Sequence, residues 1–320
     1  MIGVVIPCYR VTAHIMDVLA HIPDVVERIY CIDDGCPEKT GDMIEAQNTD
    51  HRVRVLRHTE NQGVGGAVVT GYRHALADGV DIVVKIDGDG QMNPKLLPQF
   101  IAPITQGRAD YVKGNRFFVL SDLERMPTTR ILGNAALSFL SKFSTGYWRV
   151  FDPTNGYTAI SASVLRLLPL DKLHRRYFFE SDMLFRLATL KAVVLDIPQR
   201  ALYANEQSGI SLLRSIPLFA VKHIRNFFAR LFYNYFLRDF NLASLEWILG
   251  PLLLMFGLIF GIYNWVEARD LGVEASAGTV MLSALPFLAG LQLTLSAIGY
   301  DVDSQPRTPL HPNLKADQDK

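Results

Sequence analysis

At 320 residues the chain is long enough for one large domain with an appendage, or for two domains. Its 32 basic and 32 acidic residues cancel, so bulk electrostatics give no ground for nucleic-acid binding. The 49% hydrophobic content is uneven: the first two thirds read as an ordinary α/β protein, and long apolar runs fill the last third.

Ile2 to Ile6 reads as a short buried strand stopped by Pro7. Because Gly3-Val4-Val5-Ile6-Pro7 already looks like a first strand, no signal peptide is expected before the fold. Residues 11 to 22 have helical spacing, Val25 to Ile32 gives a second strand ending in Asp33-Asp34-Gly35, and a helix over about 40 to 48 leads to a third, Val53 to Leu56. Asn61-Gln62-Gly63-Val64-Gly65-Gly66 then opens a helix through about Asp78, and Asp81 to Ile86 forms a fourth strand. Strands alternating with helices predict a mostly parallel sheet with helices on both faces, and ligands beyond the carboxyl ends of its strands. Cys8, Cys31 and Cys36 are odd in number and lack convincing zinc spacing, so they read as reduced thiols of a cytosolic domain.

The fourth strand ends in Asp87-Gly88-Asp89-Gly90-Gln91-Met92-Asn93-Pro94. Asp87 and Asp89 share one face of an extended segment, where they repel unless a cation or proton lies between them. Hard oxygen donors suit Mg²⁺ or Mn²⁺, so Asp87, Asp89 and Gln91 are candidate ligands of an ion bridging a diphosphate. Tyr9 offers a flat face to a nucleobase, and Asp33 or Asp34 an acceptor to a base N–H. Gly63, Gly65 and Gly66 allow close backbone approach to an anion at a helix start, or form a structural turn.

Taken together, Val4-Val5-Ile6-Pro7-Cys8-Tyr9, Asp33-Asp34-Gly35, the glycine block and Asp87-Gly88-Asp89-Gly90-Gln91 resemble the family 2 glycosyltransferases. The resemblance spans roughly residues 2 to 212 and is similar to the branch that glycosylates polyprenyl phosphates. It implies a GT-A fold, a nucleotide-diphosphate sugar (UDP- or GDP-sugar) as donor, a divalent metal, a polyprenyl phosphate acceptor and inversion at the anomeric carbon. Pro7, Tyr9, Asp33, Asp34, Gly63 and Asp87 then fall in the donor site. Two departures are Arg10-Val11 after Tyr9 and Val64 in place of a frequent lysine.

Residues 110 to 117 read as a fifth strand ending in a polar turn, and an apolar helix follows from Gly133 and Asn134 to about Phe143. By the resemblance Arg116 and Arg130 grip the lipid phosphate, with Asn134 where a serine is frequent; guanidinium forks suit phosphate. Asp152, in Phe151-Asp152-Pro153-Thr154-Asn155-Gly156-Tyr157, is the first candidate for a catalytic carboxylate, with Glu180 and Asp182 second. Asp182 could equally be a first-turn helix charge. Val193 to Ile197 forms a further strand, and the loop with Tyr203, Glu206, Ser208 and Ser211 resembles the lid that closes over the donor. Glu206 stands where the branch usually has an arginine, which leaves open an acceptor that is a lipid-linked sugar.

From Leu212 to Phe240 aromatic residues alternate with Lys222, Arg225, Arg230 and Arg238, as in a helix lying in a membrane interface with cations toward anionic headgroups. Trp247 to Val266 and Thr279 to Tyr300 contain no charged residue, and each run is long enough at 1.5 Å per residue to cross about 30 Å of hydrocarbon. The connection between them is net acidic and the segment before them basic, which predicts an integral membrane protein with its catalytic domain on the cytoplasmic face. The expected organisation is a catalytic domain over 1–211, amphipathic helices over 212–243, a transmembrane pair over 244–301 and a disordered tail over 302–320. Related enzymes suggest a homo-oligomer.

Overall fold

The computed structural model describes residues 1–118, 128–200 and 212–318. The chain divides into two compact units, Met1–Phe227 with Pro306–Lys320, and Phe228–Gln305. In the first, strands β1 (Ile2–Cys8), β2 (Arg28–Asp33), β3 (Val53–Arg57), β4 (Ile82–Lys85), β5 (Tyr111–Asn115), β6 (Thr158–Ser161) and β7 (Val194–Pro198) form one sheet. Their order is β3-β2-β1-β4-β6-β5-β7. The first four strands are mutually parallel, β6 runs antiparallel between β4 and β5, and β7 is parallel to β5. Helices α1 (Ile15–Ala20), α2 (Thr40–Gln47), α3 (Val64–Ala77), α4 (Leu97–Thr105), α5 (Thr128–Thr145) and α6 (Phe179–Leu190) connect the strands.

Alternation along the strands splits the core in two. Val5, Val83, Tyr111 and Ile160 pack with α3 and α6, whereas Val4, Ile6, Val84 and Val112 pack with α1 and α4. Each buried valine or isoleucine contributes about 1.5–3 kcal/mol. β1 continues through Pro7 to Cys8 instead of stopping there. Pairing between β1 and β4 ends at Val5↔Lys85, so Pro7 has no ladder partner on that side and its missing N–H costs nothing. β2 begins at Arg28, later than Val25, because Pro23 to Glu27 form a turn whose Glu27 N–H donates to the Ile2 carbonyl (2.9 Å).

The tail departs from its expected disorder. Helix α10 (His311–Gln318) forms, and the segment before it docks on the first unit. Asp110 is fully buried and accepts from the backbone N–H of Val193 (2.8 Å), Leu310 (2.9 Å) and His311 (2.9 Å) and contacts His311 Nδ1 (2.9 Å). Leu310 and Leu314 add apolar contact to the core. A polar tail is ordered here because it supplies most of the donors that a buried carboxylate needs. Asp110→Ala strands those donors and should cost about 2–4 kcal/mol, detectable as a lowered unfolding midpoint and earlier protease cleavage near residue 310.

In the second unit, α8 (Leu242–Leu271) and α9 (Ala277–Asp303) pack along small residues. A Cβ on Gly257 would lie 2.6 Å from the Ser283 carbonyl oxygen, and one on Gly290 would strike the backbone of Leu254. Asn241 and Ser244 cap the start of α8 reciprocally, and Gly272 ends it at φ 65°. Among the described residues these are the two helices long and apolar enough to cross a membrane, with mean hydropathy 2.0 and 1.6.

Helix α7 (Leu212–Phe232) precedes them and runs into a π-helical turn, Tyr233–Arg238. Leu218, Val221, Ile224, Phe228 and Phe232 form an exposed apolar stripe along it. Two of its cations do not point to solvent. Lys222 Nζ meets His174 Nε2 at 2.5 Å, and Arg230 is buried, donating to Asp301 at 2.6 and 3.0 Å beside the Tyr235 hydroxyl (2.7 Å). Asp301 ends an apolar helix and needs a partner, and Arg230 supplies it.

His223, on the inward face of α7, is buried with Nδ1 2.7 Å from the Ser144 hydroxyl. Burial pushes its imidazole down to about 4. Since the unfolded chain binds a proton more readily, stability should fall as pH drops from about 6.5 toward 4, by up to about 3 kcal/mol. Unfolding midpoints of the wild type and His223→Gln across this window test it; the variant should lose less.

Candidate active site

Strand order reverses between β1 and β4, and the carboxyl ends of these neighbours open one crevice. Because β6 is antiparallel, the segment entering it, residues 152–157, joins that same edge. Tyr9 lies just past β1, exposed, with the Arg10 guanidinium 5.5 Å over its ring. Pro7 is the strand residue two positions before it.

Asp33 and Asp34 are buried and hold turns. Asp33 accepts from the N–H of Cys36 (2.8 Å) and Gly41 (2.6 Å), fixing the start of α2. Asp34 accepts from the N–H of Gln62 (2.9 Å) and Gly63 (2.8 Å) and meets His58 Nδ1 (2.7 Å). Gly63 sits at φ 87°, and a Cβ there would come within 2.6 Å of the Arg175 carbonyl oxygen. Gly66 N–H donates to that same carbonyl (3.1 Å), so the glycine block seats residues 174–176 against α3.

Asp87 and Asp89 are part-exposed at the end of β4. The Asp89 carboxylate accepts from Gln91 N–H (3.0 Å), which curls the turn around it. Lys85 Nζ lies 2.8 Å from Asp87 Oδ1 and 3.1 Å from Glu180 Oε1, and Lys85 itself is only 1% exposed. Burial opposes its charge, but the two carboxylates outweigh burial and hold the ammonium well above its ordinary value. At Glu180, burial raises the carboxyl against the opposing pull of Lys85. Gly156 completes the cluster: a Cβ there would strike both Asp87 and Lys85.

Asp152 is fully buried at φ 54°, an unusual backbone for a non-glycine residue. Arg116 grips it bidentately, Nε to Oδ2 at 2.8 Å and Nη2 to Oδ1 at 2.7 Å, and Asn155 donates a further bond (3.1 Å). Burial works against ionisation, yet these bonds and the Arg116 charge hold the Asp152 carboxyl below its usual range. The candidate phosphate fork and the candidate catalytic carboxylate are thus joined to each other. Asp182 accepts from His174 N–H and from Arg186 Nε, both 3.0 Å, and so acts locally at the start of α6. Asn134 is half-buried on α5. Tyr203, Glu206, Ser208 and Ser211 lie outside the described residues, as does the side chain of Arg130.

Sequence reasoning passed over Lys85 and Lys113. The signal was present, since each is a lone charge in a strand otherwise buried end to end. Lys85, Thr158 and Lys113 form one row across β4, β6 and β5, and Lys113 pairs with Asp196 (3.2 Å). Among the described residues no three His, Cys, Asp or Glu side chains cluster as a metal cage. Two carboxylates fit an Mg²⁺ or Mn²⁺ ion whose remaining ligands are waters and a substrate diphosphate.

The family model for glycosyl transferase family 2 matches residues 3–168, more than half of the chain. The chain belongs to this family. It is similar to undecaprenyl-phosphate mannosyltransferase of Micrococcus luteus, at 32% identity over 64% of this chain and 86% of that one. It is also 30% identical to UDP-N-acetylglucosamine--dolichyl-phosphate N-acetylglucosaminyltransferase of Methanococcus voltae, over 64% of this chain and 87% of that one. Among solved structures, glucosyl-3-phosphoglycerate synthase of Mycobacterium tuberculosis with Mg²⁺ and UDP shares the fold. Its TM-score is 0.52 at 21% identity, covering 72% of this chain and 79% of that one. The mixed seven-stranded sheet is that of a GT-A glycosyltransferase.

Proposed function

We propose that this glycosyltransferase moves a sugar from a nucleoside-diphosphate sugar to a polyprenyl phosphate at the cytosolic face of a membrane spanned by α8 and α9. The observation that carries the reading is the pair of part-exposed carboxylates, Asp87 and Asp89, at the carboxyl end of β4 where strand order reverses. The names of the two family relatives support the lipid phosphate as acceptor. The apolar stripe of α7 supports a catalytic unit lying against headgroups.

Asp87 and Asp89, with Gln91 beside them, would hold Mg²⁺ or Mn²⁺, which when bound neutralises the leaving diphosphate. Tyr9 offers a stacking face to the nucleobase. A phosphate monoester has a second pKa of about 6, so the acceptor is already largely dianionic and needs no strong base. An acceptor oxygen attacks the anomeric carbon as the bond to the diphosphate breaks, inverting configuration. Asp152, held ionised by Arg116, is a weak base and orients its arginine. The 1–211, 212–243, 244–301 and 302–320 divisions serve this reading as catalytic, interfacial, spanning and tail segments.

Purified protein with UDP- and GDP-sugars, undecaprenyl phosphate and Mn²⁺ should yield a lipid with one phosphate and one sugar, identified by mass. Transfer only to a lipid that already bears a sugar would replace this reading with glycan extension.

A further inference from the structure

We infer that Glu180 and Lys85 form a buried relay that positions the Asp87 carboxylate, making both of them positioning residues rather than groups that touch substrate. The inference rests on the proposed role of Asp87 and Asp89 as holders of a divalent ion.

Three observations carry it. Lys85 is sealed in the sheet and its ammonium spans two carboxylates, Asp87 Oδ1 at 2.8 Å and Glu180 Oε1 at 3.1 Å. Glu180 stands in the first turn of α6, so the relay ties a helix on one side of the sheet to the end of β4. Gly156 closes over Lys85 and Asp87, and any side chain there would displace them, so the Asp87 carboxylate is confined from two directions.

The arrangement has an electrostatic consequence. Lys85 divides one positive charge between two acids. While Glu180 carries its share, Asp87 keeps enough negative charge to serve a cation. Neutralising Glu180 turns Lys85 wholly onto Asp87 and removes a negative charge from the surroundings of the cation. Both changes weaken divalent binding, and neither removes a group that contacts sugar or lipid.

The test is Mn²⁺ binding by full-length protein in detergent, read from the electron paramagnetic resonance signal of free Mn²⁺, alongside transfer kinetics. In Glu180→Gln, which keeps an oxygen for Lys85, the Mn²⁺ dissociation constant should rise about tenfold, the lower end for an outer partner of a metal ligand. The Mn²⁺ concentration for half-maximal transfer should rise with it, while kcat at saturating Mn²⁺ stays within about threefold. Glu180→Asp keeps the charge and should bind Mn²⁺ within about threefold of wild type. Unchanged Mn²⁺ affinity in Glu180→Gln overturns the relay. So does a kcat loss that no Mn²⁺ concentration recovers, which would mean Glu180 meets substrate. Asp89→Asn separates the two readings: if it too binds Mn²⁺ like the wild type, the metal role of the acid pair fails first.

Discussion

Asp89→Asn should leave the protein folded and reduce sugar transfer about a thousandfold, the size expected when several kcal/mol of charge stabilisation on a leaving diphosphate is lost. The side chain is part-exposed, and the bond it accepts from the Gln91 N–H is one an amide oxygen accepts as well. Stability is therefore spared while the charge is lost. An unchanged unfolding midpoint with product formation near background is the expected pair of results. Full sugar transfer by Asp89→Asn would overturn the metal role of the acid pair.

Arg116→Met should do the opposite and act first on the fold. It leaves Asp152 without the arginine that balances it, and breaking such a buried pair costs about 3–5 kcal/mol. The pH dependence has a definite sign. In the wild type the depressed Asp152 carboxyl contributes stability above the ordinary aspartate range, and that contribution is lost as pH falls through the folded value. In the variant Lys113 and the Asn155 bond are left to oppose burial, so Asp152 takes up a proton at higher pH than in the wild type. The gap in stability between the two proteins should be widest near pH 7 and narrow toward pH 5. Denaturant unfolding at both pH values measures it, and Asp152→Asn in the same chain should restore part of the loss. An Arg116→Met protein that is stable yet inactive would instead assign the guanidinium to the acceptor phosphate.

The strand ends were legible because their chemistry is local. Short β-branched runs buried on both faces mark β1 and β4, and Asp87 and Asp89 follow just past β4. Other parts were hidden for physical reasons. β6 is four residues, Thr158-Ala159-Ile160-Ser161, too short to show a period, and its direction follows from which neighbour it meets. α4 carries Pro98 and Pro103, residues that rarely mark a helix, and Pro98 falls in its first turn, where its missing N–H is harmless. Asp33 and Asp34 looked like ligand groups, and their carboxylates face backbone N–H groups of turns up to 29 residues ahead. Arg230 looked like a headgroup cation because its partner, Asp301, lies 71 residues on. Pairings at that separation leave no trace in a local pattern.

The bond between residues 310–311 and Asp110 bears on the order in which the protein matures. Asp110 precedes β5, so it is synthesised before both apolar helices, whereas its donors Leu310 and His311 are made after them. Until the chain beyond the helix pair has been made, the buried Asp110 carboxylate has the Val193 N–H but lacks the donors of residues 310 and 311. Final closure of the first unit therefore follows synthesis of both apolar helices, and a nascent chain arrested at residue 300 should leave Asp110 more accessible than the finished one does.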